Sequence, residues 1–558
     1  MKYNILIGGA AGLGIDTISI LVEKILKRKG YYVYSNKDYM SRVRGGHNFI
    51  QVRFGTEPIF SHWPELDAFI ALDKETVELH RESLKDTGVI ICDETLQVEG
   101  NNIIKVPLSQ IAAEVKNTKT SGSVAAGALL KIFGQSIELV QEIFMEKFEK
   151  ESAESNYMAF IRGYEYTEKR FDITATQKDD HIFINGNAAI AMGALAGGVA
   201  FYASYPMTPA TSIMTQLSMR QDDAGIVVEQ VEDEISAINM ALGAAYAGVR
   251  AMTGTSGGGF ALMVEALSLQ GIMEIPLVVV NSQRPGPSTG MATRTEQSDL
   301  DFVLTAGHGE FPRMVLSVRN PEDAFYQTAR ALNIADKYQM LVIILTDQYL
   351  ADTAQTIQPF DFSRVNIDRC FAEAEELKSE RYKRYMLTES GVSPRLIPGK
   401  ISGTVVMADS HEHNEYGHIS ESIEVRNAMM NKRMKKLEAM TPEIQEPDYF
   451  GADQPEILLI GWGSMQGPLK EAVELLLKEN LSIGALVFGD LYQLPTKLLK
   501  KYVGTAKKLI NVEQNLTGQL GRLIRQETGI FMTGSVLKYD GRQLDSYTIC
   551  SRLKKEVL

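Results

Sequence analysis

The chain has 558 residues, 44% of them hydrophobic and 23% charged, with a formal net charge of −13. That length exceeds one ordinary core, so two to four domains are expected. The acidic balance argues against a nucleic-acid-binding protein, which usually carries a basic surface, while leaving room for a local basic groove. The three cysteines, Cys92, Cys370 and Cys550, stand far apart and form no CxxC pair. These thiols alone cannot build a cubane iron–sulfur cluster or a structural zinc site, and a reducing, cytoplasmic compartment fits. The N-terminal apolar run is too short for a signal peptide and leads into glycines. No apolar run is long enough to span a bilayer, so a soluble protein is expected.

Tyr3 to Ile7 predicts a buried strand, Gly8 to Gly14 a tight turn, and Ile15, Ile18, Val22, Ile25 and Leu26 a helix ending at Gly30, before a strand at Tyr31–Tyr34. This is the strand–glycine loop–helix–strand unit of doubly wound sheets. The loop departs from G-x-G-x-x-G and no acidic residue ends the second strand. The dinucleotide reading therefore loses both markers, leaving a turn kept for close packing or an anion site at the helix N-terminus. Ser41 to Asn48 gathers Arg42, Arg44, Gly45, Gly46 and His47. That composition suits a loop holding phosphate or an anionic partner, and equally a solvated turn before the strand Phe49–Phe54. Strands Ala68–Leu72 and Val89–Cys92 and helices Ser123–Phe133 and Ile137–Phe148 follow. Glu149 to Asp180, charge-rich with few apolar repeats, reads as a connection between domains.

A second α/β unit begins near Ile182. Asn187–Ala200 is a helix of small residues suited to close packing, and strands fall at Ile226–Val228, Arg250–Thr253, Leu277–Val280 and Leu341–Leu345. Helices between them imply a mostly parallel sheet. Asp352 to Ala452 is irregular and proline-interrupted, apart from a basic helix at Ser422–Met440. A last unit has strands Ile457–Ile460, Ile483–Val487 and Lys508–Val512 with helices Pro468–Glu479 and Gly518–Thr528. The expected fold class is α/β, with three doubly wound, mostly parallel-sheet domains at 1–175, 182–365 and 453–558 and an irregular connection at 366–452.

The chemistry concentrates between Tyr205 and Leu300, where four loops, each after a predicted strand, carry hydroxyls, a carboxylate and two arginines. Glu232, Asp233 and Glu234 open a helix. They suit the positive end of its dipole, or one of them points into a cleft as a proton partner for a cofactor nitrogen. Pro206 and Pro209 fix the backbone around Thr208 and Thr211, whose hydroxyls either face a ligand or cap the helix from Ser212. Arg284 ends an apolar strand, where it can grip a carboxylate bidentately or form a structural salt bridge. His411, His413 and His418 cluster without any specific zinc spacing, and a polar interdomain loop is the simpler reading.

Tyr205–Thr211 resembles the Tyr-Pro-Ile-Thr-Pro-Ser motif of the 2-oxoacid:ferredoxin oxidoreductases. Glu232–Gly248, Thr253–Gly259 with Phe260, Gln283–Thr289 and Thr293–Leu300 look like the same family's α subunit, in the same order. Residues 1–175 look like its γ domain fused ahead of α, with Gly12–Gly14 and Arg42–Asn48 as the matching stretches. Val512–Asn515 and Gly518–Leu520 resemble a transketolase C-terminal-like domain. The resemblance implies a thiamine-diphosphate enzyme that oxidatively decarboxylates a 2-oxoacid, 2-oxoglutarate favoured, with coenzyme A and passes electrons to ferredoxin. Glu234 matches the glutamate that hydrogen-bonds the cofactor's aminopyrimidine, with Tyr205, Pro206, Gly257 and Gly258 beside it. Thr208 and Arg284 would act at the reacting centre, joined by Thr293 and Arg294 around the substrate. Gly12, Gly14, Arg42, Arg44, His47 and Asn48 would meet coenzyme A. Leu13 departs from the glutamine common in γ domains. No Gly-Asp-Gly occurs, Phe488–Leu491 being nearest, so no metal is assigned to this chain. A β subunit is expected to bring the diphosphate site, magnesium and the iron–sulfur cluster, in a dimer of α–β heterodimers inactive without it. Other thiamine-diphosphate subunits, specific for pyruvate, branched-chain acids or indolepyruvate, and a non-catalytic coenzyme A-binding module remain alternatives.

Overall fold

A computed structural model describes residues 1–40, 46–175, 180–372 and 382–557, and the strands gather into three sheets. Arg42 and Arg44 lie outside the described residues. The first sheet contains β1 (Lys2–Ala10), β2 (Tyr32–Asp38), β3 (His47–Gly55), β4 (Leu66–Ala71), β5 (Leu84–Asp93), β6 (Ile103–Val106) and β7 (Ile182–Asn185), with β14 (Ala354–Ile357) from later in the chain. Its order is β6-β5-β4-β1-β3-β2-β14-β7. The expected glycine loop and helix (Ile15–Arg28) follow β1, yet β1 and β2 are not neighbours, because β3 runs antiparallel between them. The connection from Asp38 to His47 is too short for the crossover that a parallel pair demands. This sheet is therefore mixed, with its parallel run confined to β1, β4, β5 and β6.

The stretch read as a connection after Glu149 holds a helix, Lys150–Tyr166, packed on the helix Ser121–Ile132. Its inner face is Ala153, Asn156, Ala159, Phe160 and Gly163, a helical stripe of mostly small residues that apolar counting overlooks. The crossing is too tight for side chains. A Cβ at Gly163 would lie 2.0 Å from the Val124 carbonyl oxygen.

The chain divides into two compact units. Residues 1–185, 352–359 and 545–548 form one, and 186–351, 360–544 and 549–558 form the other. The second unit holds two sheets. One contains β8 (Phe201–Ser204), β9 (Val227–Gln230), β10 (Ala251–Thr255), β11 (Leu277–Gln283), β12 (Arg313–Ser317) and β13 (Leu341–Asp347). The other contains β15 (Asp448–Gly451), β16 (Ile457–Trp462), β17 (Ile483–Phe488), β19 (Lys508–Glu513) and β20 (Gly534–Leu537). Every pair within β8–β13 is parallel. β18 (Asp490–Tyr492) crosses from the C-terminal part to pair antiparallel with β12. Asp490, in the nearest match to Gly-Asp-Gly, is buried and held by Arg330 through two 2.7 Å contacts, a structural role. β11 and β13 are buried along their whole length, as the continuous runs of Leu, Val and Ile dictate for strands covered on both faces. Their C-terminal ends turn polar, at Asn281–Gln283 and Thr346–Asp347. Among the described residues no helix is long and apolar enough to cross a membrane.

The basic helix forms at Ile423–Met440, capped by the Ser422 hydroxyl, and it buries Lys432 and Lys436. Both meet Glu274, which ends the helix Val264–Met273. Lys432 Nζ donates to the two carboxylate oxygens at 2.8 and 2.7 Å, and Lys436 also pairs with Oε2. Burial alone would raise the Glu274 carboxyl, but the two lysines hold it well below the usual carboxylate range. Burial draws Lys436 down to about 7 against that attraction. Removing the shared anion leaves two buried cations facing one another. Glu274→Gln is expected to cost about 3–5 kcal/mol in urea denaturation, and adding Lys436→Met is expected to recover part of that loss.

Candidate active site

The carboxyl ends of β8 to β11 point their following loops to one edge of the sheet, where open parallel sheets place ligands. The three acidic residues after β9 divide three tasks. Asp233 caps the helix Glu234–Tyr246 by accepting from the Ser236 N–H at 2.7 Å. Glu232 is exposed and accepts from the Ser236 hydroxyl. Glu234 turns inward and is 3% exposed, with the Thr255 hydroxyl 3.4 Å from its Oε1. The helix Gly257–Leu262 reaches this carboxylate only because residue 259 is glycine. A Cβ there would lie 2.3 Å from Glu234 Oε1. On β10, the turn after it and the paired position of β11, Thr253 Oγ1, Ser256 Oγ and Asn281 Oδ1 are buried with no partner among the described residues.

Arg284 follows β11 and is 9% exposed; its Nη1 donates to the Thr208 carbonyl at 2.7 Å. The helix after this loop, Thr211–Ser218, has no side-chain cap, so Thr208 and Thr211 are not spent on capping. Asn187 steadies the loop by donating to the Pro209 carbonyl and the Ser212 hydroxyl, both at 2.8 Å. Burial lowers the Arg284 guanidinium, opposed by the nearby charges of Asp299 and Glu234. Asp299 is a residue that sequence reasoning passed over. Its Oδ2 accepts from Asn281 Nδ2 and its N–H donates to Gln283 Oε1, each at 3.0 Å. A Cβ at Gly257 would lie 2.6 Å from that same Oδ2. Burial raises the Asp299 carboxyl, and burial together with Asp299 pushes Glu296 up to about 7. The available signal was two acids within four residues, at Glu296 and Asp299, in a loop that follows Arg284.

Tyr205 is 39% exposed, Pro206, Thr208, Gly257 and Thr293 are half-buried, and Gly258 is exposed. Arg294 is buried, with its stem against Gly541. Thr208, Glu234, Gly257 and Arg284 are thus linked through shared contacts and charge, whereas Arg294 packs toward the C-terminal segment.

Residues 4–166 match the pyruvate ferredoxin/flavodoxin oxidoreductase family, and residues 192–432 match the thiamine diphosphate-binding family of pyruvate flavodoxin/ferredoxin oxidoreductase. The chain is 33% identical to the 2-oxoacid:ferredoxin oxidoreductase subunit alpha of a Sulfolobus species, over 97% of this chain and 95% of that one. The chain belongs to the 2-oxoacid:ferredoxin oxidoreductase family. It also matches 2-oxoglutarate oxidoreductase subunit KorA of Mycobacterium tuberculosis, at 32% identity over 74% of this chain and 65% of the relative. The structure of 2-oxoglutarate:ferredoxin oxidoreductase from Magnetococcus marinus, with 2-oxoglutarate, coenzyme A and succinyl-CoA bound, superposes with a TM-score of 0.94 at 32% identity, covering 100% of both chains. Membership makes this chain the alpha subunit of an oxidoreductase, with a thiamine diphosphate-binding domain.

In this 2-oxoacid oxidoreductase subunit the other expected cluster lies in the first unit. Gly12 and Gly14 have positive φ, of 94° and 82°, and Gly14 precedes the helix Ile15–Arg28. His47 and Asn48 pair with Ala10 and Gly9 across β1 and β3, so the glycine turn and these two residues share one end of the sheet. Asn48 Oδ1 accepts from the Met40 N–H at 2.8 Å. His47 Nε2 lies 2.8 Å from His80 Nε2, and burial, with His47, lowers the His80 imidazole to about 4. The three later histidines do not converge. His413 is buried on the Tyr385 ring at 3.9 Å, whereas His411 and His418 are exposed.

Glu296 also makes the site sensitive to pH. Its folded value of about 7 exceeds the ordinary 4.5, so the native chain holds this proton more tightly than the unfolded one. Stability therefore falls as pH rises from 4.5 toward 7, and the penalty is complete above that. Glu296→Gln is expected to raise the thermal midpoint at pH 8 and to leave it nearly unchanged at pH 4.5. Equal differences at both pH values would rule out this origin.

Proposed function

We propose that this chain is the γ–α fused subunit of an enzyme that converts a 2-oxoacid, 2-oxoglutarate first, to its acyl-CoA and carbon dioxide while reducing ferredoxin. The observation that carries this reading is Glu234, a buried carboxylate with one weak protein contact, set in a glycine cradle beside Arg284. Residues 1–175 serve as the γ-type domain, 182–365 as the pyrimidine-binding domain, 366–452 as an irregular connection and 453–558 as the transketolase C-terminal-like domain.

The residues present fit the aminopyrimidine half of thiamine diphosphate. Glu234 is placed to hold a proton at a ring nitrogen, and the unpartnered Ser256 and Asn281 oxygens supply further polar groups. Tyr205, Pro206, Gly257 and Gly258 form the wall around it. When bound, the cofactor supplies the electron sink for decarboxylation. Thr208 and Arg284 orient the 2-oxoacid carboxylate, with Thr293 nearby and Arg294 the candidate for a second carboxylate. Gly12, Gly14, Arg42, Arg44, His47 and Asn48 receive coenzyme A.

A β subunit completes the site. The chain has no Gly-Asp-Gly segment and only three scattered cysteines, so the diphosphate, magnesium and iron–sulfur cluster fall to that partner, in a cytoplasmic dimer of α–β heterodimers. The surface beside Glu234 suits such a partner. Val227 on the edge strand β9 is 49% exposed, Ile235 50%, Leu262 51% and Met219 71%. Exposed apolar side chains on and beside an edge strand are the kind of surface that a partner subunit covers. The preference for 2-oxoglutarate is supported by the 2-oxoglutarate bound to the Magnetococcus marinus enzyme and by the likeness to the 2-oxoglutarate oxidoreductase subunit of Mycobacterium tuberculosis.

The test is a panel of 2-oxoacids with coenzyme A and methyl viologen, run on the chain alone and on the co-expressed complex. Turnover is expected only from the complex, and highest with 2-oxoglutarate. Robust viologen reduction by the single chain would falsify the shared site. Glu234→Gln is expected to lower kcat about 10²–10⁴-fold with assembly intact. Arg284→Lys is expected to raise KM for the 2-oxoacid about tenfold or more, as one lost charged hydrogen bond implies, and an unchanged KM would remove Arg284 from the substrate.

A further inference from the structure

The loop that carries Glu296 and Asp299 is keyed into the C-terminal part of its own unit. Gln297 is fully buried, and all four of its polar groups are engaged. Its N–H donates to the Gln514 carbonyl at 2.7 Å, and its Oε1 accepts from the Gln514 N–H at 3.2 Å. Its Nε2 donates to the Trp462 carbonyl at 2.9 Å, and its carbonyl accepts from Asn515 Nδ2 at 3.0 Å.

The socket is itself tied down. The Glu513 carboxylate, fully buried, accepts from Trp462 Nε1 (2.9 Å), Asn511 Nδ2 (2.6 Å) and Asn515 Nδ2 (2.8 Å). It also accepts from the N–H groups of Leu520 and Gly521, both at 3.1 Å, at the start of the helix Gln519–Thr528. Trp462 and Asn515, which receive Gln297, are thus fixed by one carboxylate. On the other side of the peg, Gln519 spans the loop, donating to the Ser298 carbonyl at 2.8 Å and accepting from the Asp301 N–H at 3.1 Å.

Glu296 and Asp299 lie on either side of Gln297, and burial, together with the charge of Asp299, disfavours ionisation of Glu296. With the peg in place, Asp299 stays against Gly257 and Asn281, and its N–H donates at 3.0 Å to Oε1 of Gln283, the residue that precedes Arg284.

We propose that Gln297 is a positioning residue for the reaction: it is the peg through which Trp462, Gln514 and Asn515 hold Asp299 in place, so that Arg284 is presented to the substrate carboxylate. The inference rests on the reading of Arg284 as the carboxylate-binding group. It gives the C-terminal domain, which contributes none of the proposed catalytic residues, a part in substrate binding.

The experiment compares wild type and Gln297→Ala in the α–β complex by steady-state kinetics and by hydrogen–deuterium exchange. KM for the 2-oxoacid is expected to rise about tenfold, as a displaced binding group implies, with kcat within about threefold and KM for coenzyme A unchanged. Exchange is expected to quicken at amides 293–301 and nowhere else. A fall in kcat at constant KM would mark a merely structural role and overturn the proposal, as would unchanged exchange or quickened exchange without a change in KM. If Gln297→Ala does not assemble, Gln519→Ala, which loosens the same loop from its other side, is judged by the same criteria. A wild-type complex that turns over no 2-oxoacid would instead overturn the reading of the site, while the exchange comparison would still report on the peg.

Discussion

Among the described residues four glutamates are buried in one unit of this chain, and three of them, Glu274, Glu513 and Glu234, meet the cost of burying a carboxylate in different ways. Glu274 is paired with two lysines. Glu513 takes five N–H donors and no cation at hydrogen-bonding distance. Glu234 has burial close to theirs and a single hydroxyl at 3.4 Å. A buried carboxylate saturated by protein donors is accounted for by the fold, whereas one with a single weak contact is a candidate for a ligand site. The contrast needs no appeal to relatives, and it falls on the residue that the sequence resemblance proposes for the cofactor.

What could be read from residues alone follows that division. Strand interiors such as β11 and β13 were legible because long aliphatic runs have few other solutions. Tyr205–Thr211, Glu234 and Arg284 were legible because prolines, a carboxylate and an arginine after predicted strands are chemically conspicuous. The helix Lys150–Tyr166 was hidden because its packing uses glycine, alanine and asparagine, which carry little hydrophobic signal. Gln297 was hidden for a different reason. Its partners Gln514 and Asn515 lie more than two hundred residues away, and no local pattern reveals a peg until its socket is known.

The same limit explains the first sheet. The glycine turn and the helix after β1 are local features and formed as their spacing dictates. Which strand then lies beside β1 depends on the reach of a connection and on pairing with β3 and β4, which periodicity does not encode. His47 and Asn48 accordingly join the Gly12–Gly14 turn through strand register, not through nearness in sequence.

Glu234 also constrains what its surroundings must become. Oxygens of Thr253, Ser256 and Asn281, on β10, its following turn and the neighbouring strand, are buried with no partner among the described residues, while Val227, Ile235 and Leu262 lie exposed on elements next to Glu234. A ligand alone could satisfy the first group but would leave the second in water. A second protein surface alone could cover the apolar groups but would strand the buried oxygens without partners. A polar ligand enclosed by a second protein surface would satisfy both, which is the arrangement that the proposed shared site requires.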